Sequence, residues 1–482
     1  MVRRIPGACE RDDRHRRSPD GGRDRSSLLA TRPRLSFLFL LLSLLASPVA
    51  PANDTVARSL CDTPPHEEVC PVAPKDNTDF DASFIYLNLE KNAQDPFDIF
   101  SWQTFVALNW PANEAGAPLG EPIGTHPNRP RVWQSYGQPG ELFGFAPEDE
   151  PCRSGAAEEV ATGQILQFNG KPLIDRDLNY IVFDTRLNGH IERYVVANGL
   201  DSAEGQRRFR EAGKAVDFPR GHYEEKLART GGALGSIAIK TSWKIMDADA
   251  SGEAVRYYTV DGRIAVPAAR SETGEALCVK TRLALLGMHI MHRTESGNGG
   301  DWIWSTFEHV DVAPIADNSL DPNNILGELF TGGCRAESVE SQRYVLFNPD
   351  CKDCATNAIS PAEWKWFEDA PHARGHATRG EFGTQVVRCW KIFESTARVN
   401  EVWHARLRDT VWSNYRLIST QWRGSPGSRL FPNGEVPRFL TNVTLETYDQ
   451  FSHGGTCMGC HAKAVTAAGQ NANFSFLLSK AR

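Results

Sequence analysis

Long apolar runs, internal repeats and methionine are scarce in this sequence. Only Leu35 to Ala46 forms an extended apolar run, so a protein that crosses a membrane many times is excluded. There is no internal repeat, coiled-coil heptad or low-complexity tract beyond the N-terminal arm, which excludes solenoids and fibrous chains. Eleven cysteines in 482 residues are too few for a disulfide-held miniprotein. Basic charge is also in deficit: 53 Lys and Arg against 60 Asp and Glu leave a net charge of −7, a poor basis for nucleic-acid binding, which needs a basic surface. With 40% hydrophobic residues the chain is globular rather than disordered.

The N-terminal arm holds ten Arg ahead of the apolar run, the layout of a secretory signal. Twelve helical residues reach about 18 Å, short of the hydrocarbon core of roughly 30 Å, so no stable membrane span is expected. Ala50, Pro51 and Ala52 give an A-x-A pattern, which places cleavage after Ala52, with residues 1–52 as signal peptide. No cysteine directly follows the run, so a lipid anchor is not expected. What remains carries 43 basic and 55 acidic residues, an acidic exported chain.

Beyond it, residues 53–440 read as one large α+β body. Phe97 to Trp110 has apolar residues at helical spacing, ended by Pro111. Residues 111–156 are dense in Gly and Pro and predict irregular structure. Between about 160 and 310 come short runs rich in β-branched and aromatic residues: Tyr180 to Asp184, Ile237 to Ile245, Arg256 to Val260, Arg282 to Arg293 and Trp302 to Val310. These predict a β-sheet core, the last two joined by a hairpin loop, Glu295 to Asp301, and flanked by helices and long loops. Residues 311–382 are again turn-rich, and Thr384 to Trp412 predicts mostly helix.

Chemistry concentrates in Cys457-Met458-Gly459-Cys460-His461, a C-x-x-C-H sequence inside a C-terminal helical segment, residues 441–482. Two thiols on one helical turn reach the two vinyl groups of a haem and form thioethers, and the adjacent imidazole becomes the proximal iron ligand. The pattern therefore predicts one haem c, held covalently by Cys457 and Cys460 and ligated by His461. The alternatives are a Cys457–Cys460 disulfide or half of a zinc site completed by Cys351 and Cys354. Cys351-Lys352-Asp353-Cys354 is not itself a haem site, because Ala355 stands where the histidine would be. It reads as a structural disulfide or, less readily, a redox pair. Together with Cys61, Cys70, Cys152, Cys278, Cys334 and Cys389 this pair makes eight thiols available for bridging in an oxidising compartment, and the sequence leaves their pairing open.

After His461 there is neither His nor Met, so any strong distal ligand comes from upstream. Met288, His289, Met291 and His292 are the densest cluster, with His309 nearby. On a strand, Met288 and His292 share one face and His289 and Met291 the other. His453 is a candidate for the haem edge or a propionate. Trp243, Trp302 and Trp304 are candidate pocket walls.

The attachment motif makes the last residues resemble c-type cytochromes. Ser101 to Pro111 (SWQTFVALNWP), Trp302 to Asp311 (WIWSTFEHVD) and Asn442 to Gln450 (NVTLETYDQ), followed by CMGCH, resemble large bacterial cytochrome c family proteins with a single C-terminal haem motif. The resemblance implies haem binding and electron transfer in the periplasm of a Gram-negative bacterium, with Cys457 and Cys460 as thioether sites and His461 as proximal ligand. The expected function is thus electron transfer to a redox partner protein. The alternative is a haem c oxidoreductase, peroxidase- or oxidase-like, with an open or displaceable distal position, a reading favoured by a body far larger than a simple carrier needs.

Overall fold

The computed structural model describes residues 69–78, 94–144, 152, 159–226, 228–246, 255–295, 302–322, 333–376, 383–423, 435–451 and 456–482. The N-terminal arm with its apolar run, Cys61, His453 and the loop 296–301 lie outside the described residues. The fold is α+β with a β-sheet core, as the sequence predicts. No helix among the described residues is long and apolar enough to cross a membrane.

The main sheet contains β1 (Val160–Thr162), β2 (Val182–Leu187), β3 (Ile237–Ile245), β4 (Thr259–Val266), β5 (Leu277–Arg293), β6 (Trp302–His309), β9 (Tyr415–Arg423) and β10 (Glu435–Val436). A second, two-stranded sheet pairs β7 (Ile315–Leu320) with β8 (Arg388–Trp390). β5 organises the main sheet because its length lets it serve three partners. Leu283 and Ala284 pair with both β3 and β4, which therefore lie on opposite edges. Gly287 to Arg293 pair with β6, which continues the edge that β4 begins. β6 then pairs with β9, and β9 with β10. β1 runs parallel to β4, and the bridge from Gln164 to Phe183 returns the chain to β2. That single bridge, just past the end of β1, brings the chain alongside β2 without adding a ladder between the two strands.

Both faces of β5 are covered, and its second half is accordingly almost continuously buried rather than alternating. One face carries Met288, Ile290 and Phe307. It packs under α1 (Asp95–Leu108), where Phe105 stacks on Phe307 at 4.1 Å, and α1 in turn is covered by α5 (Glu394–Arg406), with Trp102 stacked on Trp403 at 5.7 Å. The other face is covered by the C-terminal segment and by α3 (Gly189–Ala197) and α4 (Ala203–Glu211), whose Ile191, Val195 and Phe209 join Trp302, Trp304, Cys457 and Leu478 in one apolar cluster. Short α2 (Pro139–Phe143) contributes Phe143 to that cluster, and α6 (Cys457–His461) is the turn that carries the C-x-x-C-H sequence, called the attachment turn after its expected role.

Several expectations need correction. Between the expected strands around 180–184 and 237–245, α3 and α4 add helices not expected from the sequence, where Asn188 and Ser202 cap them by accepting hydrogen bonds from Ile191 N (3.3 Å) and Gly205 N (3.1 Å). The helix expected over Thr384 to Trp412 is confined to α5, since Arg388–Trp390 pairs as β8. The sheet also extends past residue 310, where β9 carries it to the attachment turn.

Candidate functional site

The segment that leads into the attachment turn lies directly on the sheet. A Cβ on Gly287 would come within 2.4 Å of Thr444 Oγ1 and 2.9 Å of Asn442 Oδ1, so this strand position admits only glycine without displacing the segment. Asn442 donates to Thr306 Oγ1 (3.0 Å) and the Phe307 carbonyl (2.9 Å), and Val443 N donates to buried Glu308 Oε1 (2.7 Å). Arg388 pairs with Glu308 and donates to the Thr441 carbonyl at 3.0 Å.

The attachment turn is clamped from β9. Gln421 donates to Thr456 Oγ1 (3.0 Å) and the Pro437 carbonyl (2.7 Å), and its Oε1 accepts from Met458 N (2.8 Å). Thr456, as N-cap of α6, also accepts from Gly459 N at 3.4 Å. Met458 is fully buried in the apolar cluster.

His461 is half-buried between Trp304 (centroids 4.4 Å apart) and Phe476 (4.9 Å). Its Nδ1–H donates to the Phe474 carbonyl at 2.8 Å, which leaves Nε2 deprotonated and without a hydrogen bond among the described residues. Desolvation pushes its pKa down to about 4, so the ring is neutral at ordinary pH. Cys457 and Cys460 are buried, and among the described cysteines they are the two outside disulfides. Burial and the nearby Glu446 raise the Cys457 thiol well above its usual range.

The other cysteines bridge: Cys152 with Cys278, Cys334 with Cys389, and Cys351 with Cys354, while Cys70 is also disulfide-bonded. Cys351 and Cys354, bridged to each other, do not complete a zinc site with the attachment cysteines. Among the described residues no group of three or more His, Cys, Asp or Glu is placed to hold a bare metal ion.

The distal candidates separate by face. Met288 and His292 lie on the α1 side: Asn109 Nδ2 donates to Met288 Sδ at 3.8 Å, and His292 bonds the Leu234 carbonyl at 2.7 Å beside Phe100. His309 stacks on Tyr257 at 3.9 Å and uses both ring nitrogens, donating to the Arg256 carbonyl (3.0 Å) and accepting from Asp311 N (3.1 Å). His289 and Met291 lie on the face that carries the attachment turn. Met291 is opposite Trp304 and packs in its apolar cluster. His289 Nε2 lies 2.9 and 3.0 Å from the two Glu446 oxygens. Burial works to raise the Glu446 pKa, but His289 and Lys240 outweigh it and hold the carboxyl below its usual range. Of the tryptophans, Trp304 touches His461 and Trp302 bonds Asn473 of the C-terminal segment (2.9 Å), whereas Trp243 packs with Trp133 in the opposite core.

Gln421, Glu446, Lys240 and Thr456 were not singled out from the sequence, although Glu446 stands inside the quoted NVTLETYDQ phrase. Two cavities, about 430 Å³ near Trp110 and Arg406 and about 200 Å³ beside Cys354 and His376, are not lined by the attachment turn. No family model, curated protein or solved structure matches this chain.

Proposed function

We propose that the protein is an exported c-type cytochrome that binds one haem at Cys457 and Cys460, uses His461 as proximal ligand and passes electrons to a redox partner protein. The orientation of His461 carries this reading. A metal-ligating histidine characteristically gives its second ring nitrogen to a carbonyl or carboxylate, and the Phe474 carbonyl fixes the tautomer that exposes Nε2 for iron. The thiols of Cys457 and Cys460 on the same turn fit thioether formation, while Cys351 and Cys354 at the same spacing are joined to each other. The haem supplies a one-electron couple, and the chain sets its axial ligation and surroundings. Trp304 and Phe476 hold the imidazole plane, Gln421 holds the turn, and the apolar cluster limits water. Disulfides support an oxidising compartment, which fits the periplasm and the signal-like N-terminus.

The test is expression of the full chain in a host that attaches haem c in its periplasm. Intact mass with one added haem and a haem c band in the pyridine haemochrome are expected, both lost in Cys457→Ser/Cys460→Ser. A wild-type chain exported without haem would defeat the reading.

A further inference from the structure

Near the attachment turn, His289 Nδ1 and Trp304 Nε1 are both buried without a hydrogen-bond partner, and of the two only the imidazole nitrogen can ligate a metal, because an indole N–H is a donor only. His289 is 6% exposed, its Nε2 is held by Glu446, and its Nδ1 is buried with no hydrogen-bond partner. A buried nitrogen without a partner is costly, and ligation would remove that cost. On the assumption that the chain holds the haem proposed above, we propose that His289 is the sixth ligand, opposite His461, binding through Nδ1 while Glu446 fixes its ring through Nε2.

The two histidines share one arrangement. His461 gives Nδ1–H to the Phe474 carbonyl and keeps Nε2 unpartnered; His289 is tied to the Glu446 carboxylate through Nε2 and keeps Nδ1 unpartnered. Each thus has one ring nitrogen anchored by the group behind it and the other open, the arrangement of ligating histidines. They lie toward the same face of the sheet: Met291, two residues on from His289 along β5, is opposite Trp304, whose ring is 4.4 Å from that of His461. Competing candidates are occupied elsewhere: Met288 and His292 face α1, and both nitrogens of His309 are bonded. Met291 shares the face but fills an apolar cluster, a sufficient reason for a methionine there. Two imidazoles give a lower potential than a His–Met pair, and Glu446, which makes the His289 ring more electron-rich, lowers it further.

Ferric spectra of the full-length holoprotein test this. The wild type is expected to be low-spin and unchanged by cyanide on mixing. His289→Ala is expected to turn high-spin and bind cyanide at least ten-fold faster, with added imidazole restoring the low-spin spectrum, while Met291→Ala stays low-spin. Glu446→Gln, which keeps the side chain's shape should the alanine variant fail to fold, is expected to stay low-spin with a raised midpoint potential. A low-spin spectrum kept by His289→Ala and lost by Met291→Ala overturns the proposal, as does an unchanged potential in Glu446→Gln. A high-spin wild type also overturns it, leaving the distal position open as an oxidoreductase would need. Haem content by mass, measured in every sample, separates these results from failure of the cytochrome reading, which alone would remove haem from the wild type.

Discussion

Glu308 shows how much of the site depends on residues that never touch it. Its carboxylate and the Arg388 guanidinium are both fully buried, and together they bond Val443 N and the Thr441 carbonyl at the start of the C-terminal segment. Removing one member of a buried pair leaves an uncompensated charge. Arg388→Met is expected to lower stability by about 3–5 kcal/mol, read from the urea midpoint. Asp98 makes a pH argument. Buried on α1, it accepts from Gln94 (3.0 Å), Thr396 (2.6 Å) and Thr420 (2.8 Å), yet burial outweighs these bonds and raises its pKa from 3.8 to about 7. The folded state thus holds a proton that the unfolded chain releases, and the stability this confers is lost as pH rises from about 4 to 7. His292 and His309, both pushed down to about 4 by burial, act oppositely, favouring unfolding as pH falls below 6.5. Comparing wild type with Asp98→Asn cancels the histidines: the wild type should lose stability relative to the variant across that window and run parallel above it, by urea midpoints at each pH. At this scale the sequence made the CMGCH motif legible, because spacing alone encodes it. The direction of the His461 ring was not legible, since it depends on a carbonyl thirteen residues later in an irregular segment.

The elements explain why the histidine and methionine cluster of β5 was ambiguous. Period two divides it into Met288 with His292 and His289 with Met291, but only the packed partner says which pair faces the attachment turn. Strands β3, β5 and β6 were legible to within a few residues from their β-branched and aromatic content. Helices α3 and α4 were not, since Tyr194, Val195 and Val196 favour strand locally while the Asn188 cap and the apolar cluster favour helix. β9 could have been found from its Ile418 and Thr420, and missing it concealed Gln421. That residue links the end of the sheet to the turn, with both amide atoms bonded. Gln421→Leu is expected to leave Met458 N and Thr456 Oγ1 without these bonds, costing about 1–3 kcal/mol and reducing the fraction of chains with covalent haem, read by intact mass.

Across the molecule, the C-terminal segment is stitched to distant parts of the body rather than set apart from it. Gln206 donates to the Leu478 carbonyl (2.8 Å), Ala203 N to the Arg482 carbonyl (3.0 Å), and Trp302 to Asn473. Its seat is formed by strands, helices and loops that all precede it in the chain. The disulfides Cys152–Cys278, Cys334–Cys389 and Cys351–Cys354 join cysteines that also come earlier, the last of them at residue 389. On the exported route proposed above, the chain emerges N-terminus first, so these sulfurs can find each other before Cys457 and Cys460 appear. The expected result is that Cys457→Ser/Cys460→Ser gives the same disulfide map as wild type by peptide mass analysis; a changed map would show that the late thiols take part in sorting the early ones. On the haem reading proposed above, placing Cys457 and Cys460 after the bridged cysteines acts as a timetable, keeping the pair that thioether formation needs reduced out of the oxidative pairing of Cys152, Cys278, Cys334, Cys351, Cys354 and Cys389.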